Sequence, residues 1–298
     1  MPFTHLLLAV LVAVVWGINF IFLKLGLDEI SPLFLCALRF IFASLPAIFF
    51  IKPPKAPVRK IILYGLIMFD LQFSCLFLGL YFGMTPGMAS VIAQVQVFFS
   101  LFFAAFFLKL QPSFKQVLGA LVSFLGIGLI GLHCDQNITA LGFIFILGAA
   151  AAWGTGNLIT KQLNDVNMIS LVIWGSFVAS IPMLLIALIV EGPSRIMDSY
   201  QHLSWKGISS VFYTVYISTW VGYGVWNWLL SRHNIATVVP FSLMIPIIAI
   251  LSSVLILGES LEPWKLMAGF LVILGLYINI GRLPFINIKI KQEACQNK

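Results

Sequence analysis

The residues of this sequence that could do chemistry are polar side chains set inside long apolar runs. Across 206–230, Ser209, Tyr213, Tyr216, Trp220, Tyr223 and Asn227 follow at spacings of 4, 3, 4, 3 and 4, which on an α-helix places all six on one stripe. Trp16 and Asn19 stand near the end of the first apolar run, and Trp153, Asn157 and Thr160 near the end of a later one. A polar group facing lipid is costly, so inside a membrane such residues turn to the bundle interior or to a water-filled cavity. Amides, hydroxyls and ring faces arranged in this way suit a small polar or zwitterionic solute, whose charges they hold without a fixed countercharge. Interfacial aromatic belting and helix-to-helix hydrogen bonding are the other reading of the same residues, and fit Trp205, Tyr213 and Trp264 near span ends better.

Two charges lie deep. Arg39 is seven residues into the second apolar run and Asp70 nine residues into the third from the opposite side. At about 1.5 Å per residue their heights differ by only about 6 Å. Two readings stand: a buried Arg39–Asp70 pair that neutralises both, or an Asp70 that titrates and couples transport to protons. Gln72 points away from Asp70 on a helix, and Gln94 and Gln96 diverge in the same manner, with Gln94 the favoured site residue of that pair.

Catalysis has little to work with. His5, His133, His202 and His233 sit at span ends or in loops, no H-E-x-x-H occurs, Asp70 is the one deep acid, and no Gly-rich phosphate loop is present. Cys36, Cys75, Cys134 and Cys295 lack metal or redox spacing and read as packing residues. A non-enzyme without metal or cofactor is the expectation.

The elements that must position these residues follow from composition. Of 298 residues, 61% are hydrophobic and 9% charged, against roughly 45–50% and 25% in a soluble domain. Apolar windows of about 20 residues, the length that crosses a bilayer as a helix, recur along the chain, without the alternation of spanning strands. The sequence predicts an all-α integral membrane protein with ten transmembrane helices, over about 5–25, 32–51, 61–82, 88–108, 114–132, 140–161, 168–190, 206–230, 235–257 and 264–283. The first reads as a retained span because it lacks a basic n-region and a small-residue cleavage site. The net charge of +7 is a topology signal and not a nucleic-acid footprint. Of the seventeen Lys and Arg, twelve fall on the face of the termini, four (Lys24, Arg195, Lys206 and Lys265) on the other, and Arg39 within a span. The positive-inside rule then puts both termini in the cytoplasm.

The chain also repeats itself. Trp16-Gly17 with Lys24 matches Trp153-Gly154 with Lys161, while Phe114-Lys115 and Gly119 match Trp264-Lys265 and Gly269 at an offset of 150. Five spans per half is odd, so the halves, 1–133 and 134–283, must lie inverted in the membrane, with 284–298 a polar cytoplasmic tail. Inverted repeats are a physical basis for alternating access.

Four features together resemble the EamA-type drug/metabolite transporters: W-G-x-N-F at Trp16 to Phe20, Leu38-Arg39-Phe40, W-G-x-x-N at Trp153 to Asn157, and Gly258-Glu259 followed by Gly269. Within that family, the stretches Met168 to Trp174, Val221 to Trp226, Pro240 to Pro246 and Gly275 to Asn279 are similar to the branch that exports O-acetylserine and cysteine. The resemblance covers essentially the whole chain. It implies a bacterial inner-membrane exporter of metabolites with its cavity between the repeats; the expected partners are a small polar solute and the lipid bilayer, with protons as coupling ion on the reading in which Asp70 titrates. Two departures stand out: Leu108-Lys109 where the family often has Gly-Glu, and Asp70 where that branch has an apolar residue. A carrier of nucleobases, other aromatic metabolites or drugs is the alternative within the class, and a non-transporting receptor or enzyme subunit the alternative outside it. The expected site is Trp16, Asn19, Gln94, Trp153, Asn157, Tyr216, Trp220, Tyr223 and Asn227, with Asp70 and Arg39 as coupling or buried charges.

Overall fold

The computed structural model describes residues 2–108, 113–133, 139–161, 163, 166–233, 241–242 and 244–280. Helices α1 (Phe3–Leu27), α2 (Pro32–Ser44) and α3 (Val58–Tyr81) open the chain. They are followed by α4 (Pro86–Ala93), α5 (Gln96–Leu108) and α6 (Phe114–Leu132). The second half holds α7 (Ala140–Lys161), α8 (Met168–Val190), α9 (Gly192–Gln201), α10 (205–232), α11 (Met244–Leu257) and α12 (Pro263–Ile280). No strand occurs among the described residues. Among the described residues, six helices are long and apolar enough to cross a membrane: α1, Pro32–Phe49, α3, α6, Ala140–Thr160 and α8. Shorter apolar helices, Pro86–Phe99, Met244–Leu257 and Pro263–Ile278, accompany them. The tail 284–298, the chain midpoint 134–138, and Cys134 and Cys295 lie outside the described residues.

Two expected helices are broken, each with a local cause, and two more carry π-helical stretches. The second stops at Ser44 ahead of Pro46, whose ring cannot continue an α-helical ladder, and resumes only as the single turn Ala47–Phe49. The fourth divides at Gln94, where tighter turns take over: Gln94 N–H donates to Val91 O and Val97 N–H to Gln94 O. The eighth, α10, is π-helical over Tyr213–Tyr223, and α3 carries a π-helical stretch over Gly65–Leu71. The polar connection after α8 holds the short helix α9.

Helix packing follows a pattern. Spans α6 and α12 pack together, as do α2 and α8. The pairs α1–α11 and α1–α10 have counterparts in α5–α7 and α3–α7. Exchanging the nth span of one half for the nth of the other therefore maps this set of pairs onto itself. Close approach depends on small residues: a Cβ on Gly275 of α12 would lie 2.4 Å from Gly119 O and 2.2 Å from Ser123 Oγ on α6. Ser123 Oγ donates to Val272 O across the same contact at 3.0 Å.

The connectors gather on two faces. On one lie the carboxylates Glu29 and Glu191 and the hydrogen bond that Arg195 donates to the Tyr81 hydroxyl. Glu191 accepts from Ser31 Oγ at 2.6 Å and from the N–H groups of Leu33 and Phe34 at 2.8 and 3.1 Å, capping α2. Glu29 caps α10 by accepting from Ser204 N–H and Gly207 N–H at 2.9 and 3.0 Å, and from the Ser204 hydroxyl. Each carboxylate thus completes the N-terminus of a helix in the opposite half, where free N–H groups and the helix dipole favour negative charge. On the other face, Ser170 Oγ and Trp174 Nε1 of α8 donate to Lys52 O and Ile51 O at 2.6 and 3.0 Å. His5 and His233 share a 2.6 Å hydrogen bond there.

Candidate functional site

Between the halves lies a central cavity of about 650 Å³ of non-atom space, its opening included. Helix α1 contributes Trp16, Asn19 and Phe20; α2 contributes Arg39; and α3 contributes Gln72, Phe73 and Leu76. Ser90, Ala93 and Gln94 come from the broken fourth span, and Ala149, Ala150 and Trp153 from α7. Ser218 and Tyr223 of α10 and Ile245 of α11 complete the wall. Both halves supply residues, so any change in their packing changes the cavity.

Trp16 is held rigidly. Its Nε1 donates to Ser218 O at 3.1 Å, and its ring lies 5.2 Å from Tyr223 and 5.4 Å from Trp226, centroid to centroid. The seat requires Gly222, where a Cβ would come within 2.5 Å of Trp16 Nε1. Gln94 Nε2 donates to Ser242 O at 3.4 Å. The break after α4 thus sits where a polar side chain enters the wall.

Other lining groups are left unsatisfied. Asn19 Oδ1 and Gln72 Oε1 are buried without hydrogen-bond partners. Arg39 is 2% exposed; its Nη2 donates to Thr219 Oγ1 at 3.1 Å, and its Nε and Nη1 have no partner. The guanidinium carbon stands 4.3 Å from the Phe73 ring centroid and 5.9 Å from that of Phe40, contacts that ease but do not neutralise a buried charge.

The structure brings Trp16, Asn19, Gln94, Trp153 and Tyr223 of the expected site into one cavity and adds Arg39 to its wall. Tyr216 and Trp220 are turned away. Trp220 is 37% exposed, donates from Nε1 to Ala43 O at 2.9 Å, and meets Tyr216 edge-on at 5.2 Å. The π-helical stretch is the reason: with i to i+5 bonding each turn holds about one extra residue, so the six-residue stripe is not a single face. Thr219 Oγ1 bonding Thr214 O, five residues back, marks that winding. Ser218 takes the place on the cavity wall that the α-helical spacing gave to Trp220. Asn157 and Asn227 lie on α7 and α10, but their side chains are outside the described set.

The Arg39–Asp70 pair is not formed: Arg39 bonds Thr219, and Asp70 Oδ1 is buried with no partner. Asp70 does not line the central cavity, whereas Gln72, on the other side of α3, does. Gln72, Ser90 and Ser218 are lining residues that the sequence reading did not single out as site residues. A polar residue inside an apolar span was the available signal for all three.

A second cavity of about 500 Å³ adjoins this one, lined by Ala47, Ile51, Ile169, Val172, Ile173, Thr219, Trp220, Tyr223 and Gly224. Tyr223 belongs to both walls, and Thr219 links the second cavity to Arg39. A solute passing between the two cavities would meet these two side chains.

Residues 4–132 and 140–281 each match the EamA-like transporter family, so one family unit covers each half. A "Probable amino-acid metabolite efflux pump" of Salmonella typhimurium (strain LT2) is 36% identical over 92% of this chain and 93% of its own. The protein of the same description from Escherichia coli (strain K12) agrees at 36% over the same shares. An uncharacterised transporter of Bacillus subtilis (strain 168) is 24% identical over 90% of this chain and 94% of its own. One solved crystal structure aligns with a TM-score of 0.61 over 94% of this chain and 98% of that one; at 16% identity it speaks to the fold alone.

Proposed function

This chain belongs to the EamA-like transporter family, and from that premise we propose that it is a secondary transporter exporting a small polar metabolite, an amino acid of the cysteine or O-acetylserine type. The observation that carries the reading is the central cavity, walled by both halves, with buried polar groups on aromatic-lined walls. The amino-acid class comes from the two relatives described as amino-acid metabolite efflux pumps. Trp16, Asn19, Gln94, Trp153 and Tyr223 are the solute-contacting residues in this reading, with Asn157 and Asn227 as further candidates.

Ten spans in two inverted five-helix repeats, with both termini in the cytoplasm of a bacterial inner membrane, supply the mechanism. The exchange-symmetric packing supports it, since two halves that make equivalent contacts can trade them to open either side. In this reading the carboxylate caps of Glu29 and Glu191, which tie the halves together at one face, break and reform as that face opens and closes. The path to the other face runs past Tyr223 into the second cavity. Proton coupling rests on Asp70, whose Oδ1 is buried and unpartnered and which stands off the solute cavity.

The test is counterflow of labelled L-cysteine or O-acetyl-L-serine into proteoliposomes preloaded with the unlabelled compound. The purified protein should produce accumulation that Tyr223→Ala reduces about tenfold. Counterflow of adenine in place of both amino acids would transfer the reading to an aromatic-metabolite carrier. With no counterflow and no solute-induced rise in melting temperature, the transporter reading fails in favour of a receptor or enzyme subunit.

A further inference from the structure

Buried polar atoms without partners cluster in this molecule. Among the described residues, four such side-chain atoms, Asn19 Oδ1, Gln72 Oε1, and Nε and Nη1 of Arg39, belong to residues that line one cavity. A guanidinium has five N–H donors in a planar fork that matches a carboxylate's two oxygens. Here Nη2 is committed to Thr219, and the rest of the fork is desolvated with no acidic side chain in ion-pair contact. The ion pairs of the described residues, Lys24–Asp28 and Lys265–Glu262, are elsewhere. Leaving a charge buried and unpaired is unfavourable in the resting protein, so an anionic group arriving in the cavity gains what the fold withholds.

The chemistry of the wall narrows the class of anion. Arg39 is the single charged residue of the sixteen that line the cavity, so it can balance one carboxylate and no more. The unpaired oxygens of Asn19 and Gln72 are acceptors, and the ring faces of Trp16, Trp153 and Tyr223 also attract a cation. Donors and acceptors in one cavity match the two ends of a zwitterion. A diamine would bring positive charge to Arg39 with no carboxylate in the wall to offset it. A dicarboxylate would set its second anion against amide oxygens.

We infer that Arg39 anchors the carboxylate of the solute and that the amide oxygens of Asn19 and Gln72 take its ammonium group, so that the cavity selects monocarboxylic amino acids over amines and dicarboxylates. The inference rests on the proposed role of this cavity as the transport site, and gives that site its specificity. No covalent step is involved; the carboxylate arrives ionised and accepts from N–H groups of the fork that have no partner in the resting protein. Thr219, bonded at Nη2, fixes the orientation of the guanidinium and so the directions in which Nε–H and the Nη1 protons point.

The full-length protein, purified in detergent with a phosphine reductant, carries its own reporters in Trp16 and Trp153. Intrinsic fluorescence would be titrated with L-cysteine, with 3-mercaptopropionate, which lacks the ammonium group, and with cysteamine, which lacks the carboxylate. The half-saturating concentration should rise at least about tenfold from cysteine to cysteamine, the loss expected for a charge-assisted hydrogen bond, and less for 3-mercaptopropionate. Arg39→Gln should bring cysteine to the cysteamine level. The analogue series needs no variant and decides the matter even if that substitution unfolds the protein. Cysteamine binding as tightly as cysteine, or more tightly than 3-mercaptopropionate, would overturn the Arg39 assignment while leaving an amino-acid exporter intact. A response to adenine and to none of the three probes would overturn both.

Discussion

The capped face and the central cavity treat buried polarity in opposite ways. At the connectors, Glu191 and Glu29 are saturated: between them they accept from four backbone N–H groups and two hydroxyls, joining each half of the chain to the other. In the cavity, Arg39, Asn19 and Gln72 keep donors and acceptors unused although solvent hardly reaches them. Satisfied polar groups hold one arrangement of the halves; unsatisfied ones are poised for something that is not part of the fold. Removing a member of the first set should therefore damage stability, and removing one of the second should damage transport and spare stability.

The largest effect that could break this contrast is at the cap. Glu191→Ala strips α2 of its N-terminal acceptors and should destabilise the protein by about 2–4 kcal/mol, from the lost charged hydrogen bonds and dipole interaction. Differential scanning calorimetry in detergent would register this as a fall of several degrees. An unchanged melting temperature would mean that the cap is incidental. A smaller, local effect belongs to Gly222→Ala, whose methyl group would press on Trp16 Nε1. That variant should cost about 1–3 kcal/mol of overpacking and weaken solute binding through the displaced indole.

The smallest effect is a pH dependence at the same face. The hydroxyl of Ser204, followed by its N–H and that of Gly207 and by the Lys206 charge, holds the Glu29 carboxyl below its ordinary value of 4.5. A depressed folded-state value means that the stabilisation is complete above the unfolded value and fades as pH falls through the folded one. The wild-type melting temperature should accordingly drop more steeply on acidification below 4.5 than that of Glu29→Gln, which cannot titrate. Parallel curves would show that Glu29 contributes through neutral hydrogen bonding alone.

What was legible in the sequence follows from how locally each feature is encoded. Apolar run length announces an apolar helix from the stretch itself, and among the described residues six of them reach spanning length. Trp16, Asn19, Gln94 and Trp153 could be singled out for the cavity because a polar or amphipathic residue inside an apolar helix has few places to go. Tyr216 and Trp220 fall outside the central cavity, Trp220 lining the second one instead, because a π-helical winding shifts every later residue around the axis and leaves no mark in a 3.6-residue pattern. The fate of Arg39 depended on which of two distant partners it would meet. Helix height allowed Asp70, whereas packing across the halves delivered Thr219 and Phe73. Glu29 and Glu191 lie outside the long apolar runs, and their capping roles emerge only once the halves are docked.

Arg39→Met isolates the contrast in a single side chain. Replacing a buried, incompletely paired guanidinium by an apolar group of similar reach is neutral or stabilising for a fold that does not depend on it. The most direct measurement is therefore made twice on that variant, melting temperature in detergent and counterflow of labelled L-cysteine in proteoliposomes. The account predicts a melting temperature at or above that of the wild type, together with counterflow reduced to the leak of protein-free vesicles. Wild-type counterflow by a stable Arg39→Met protein would contradict it.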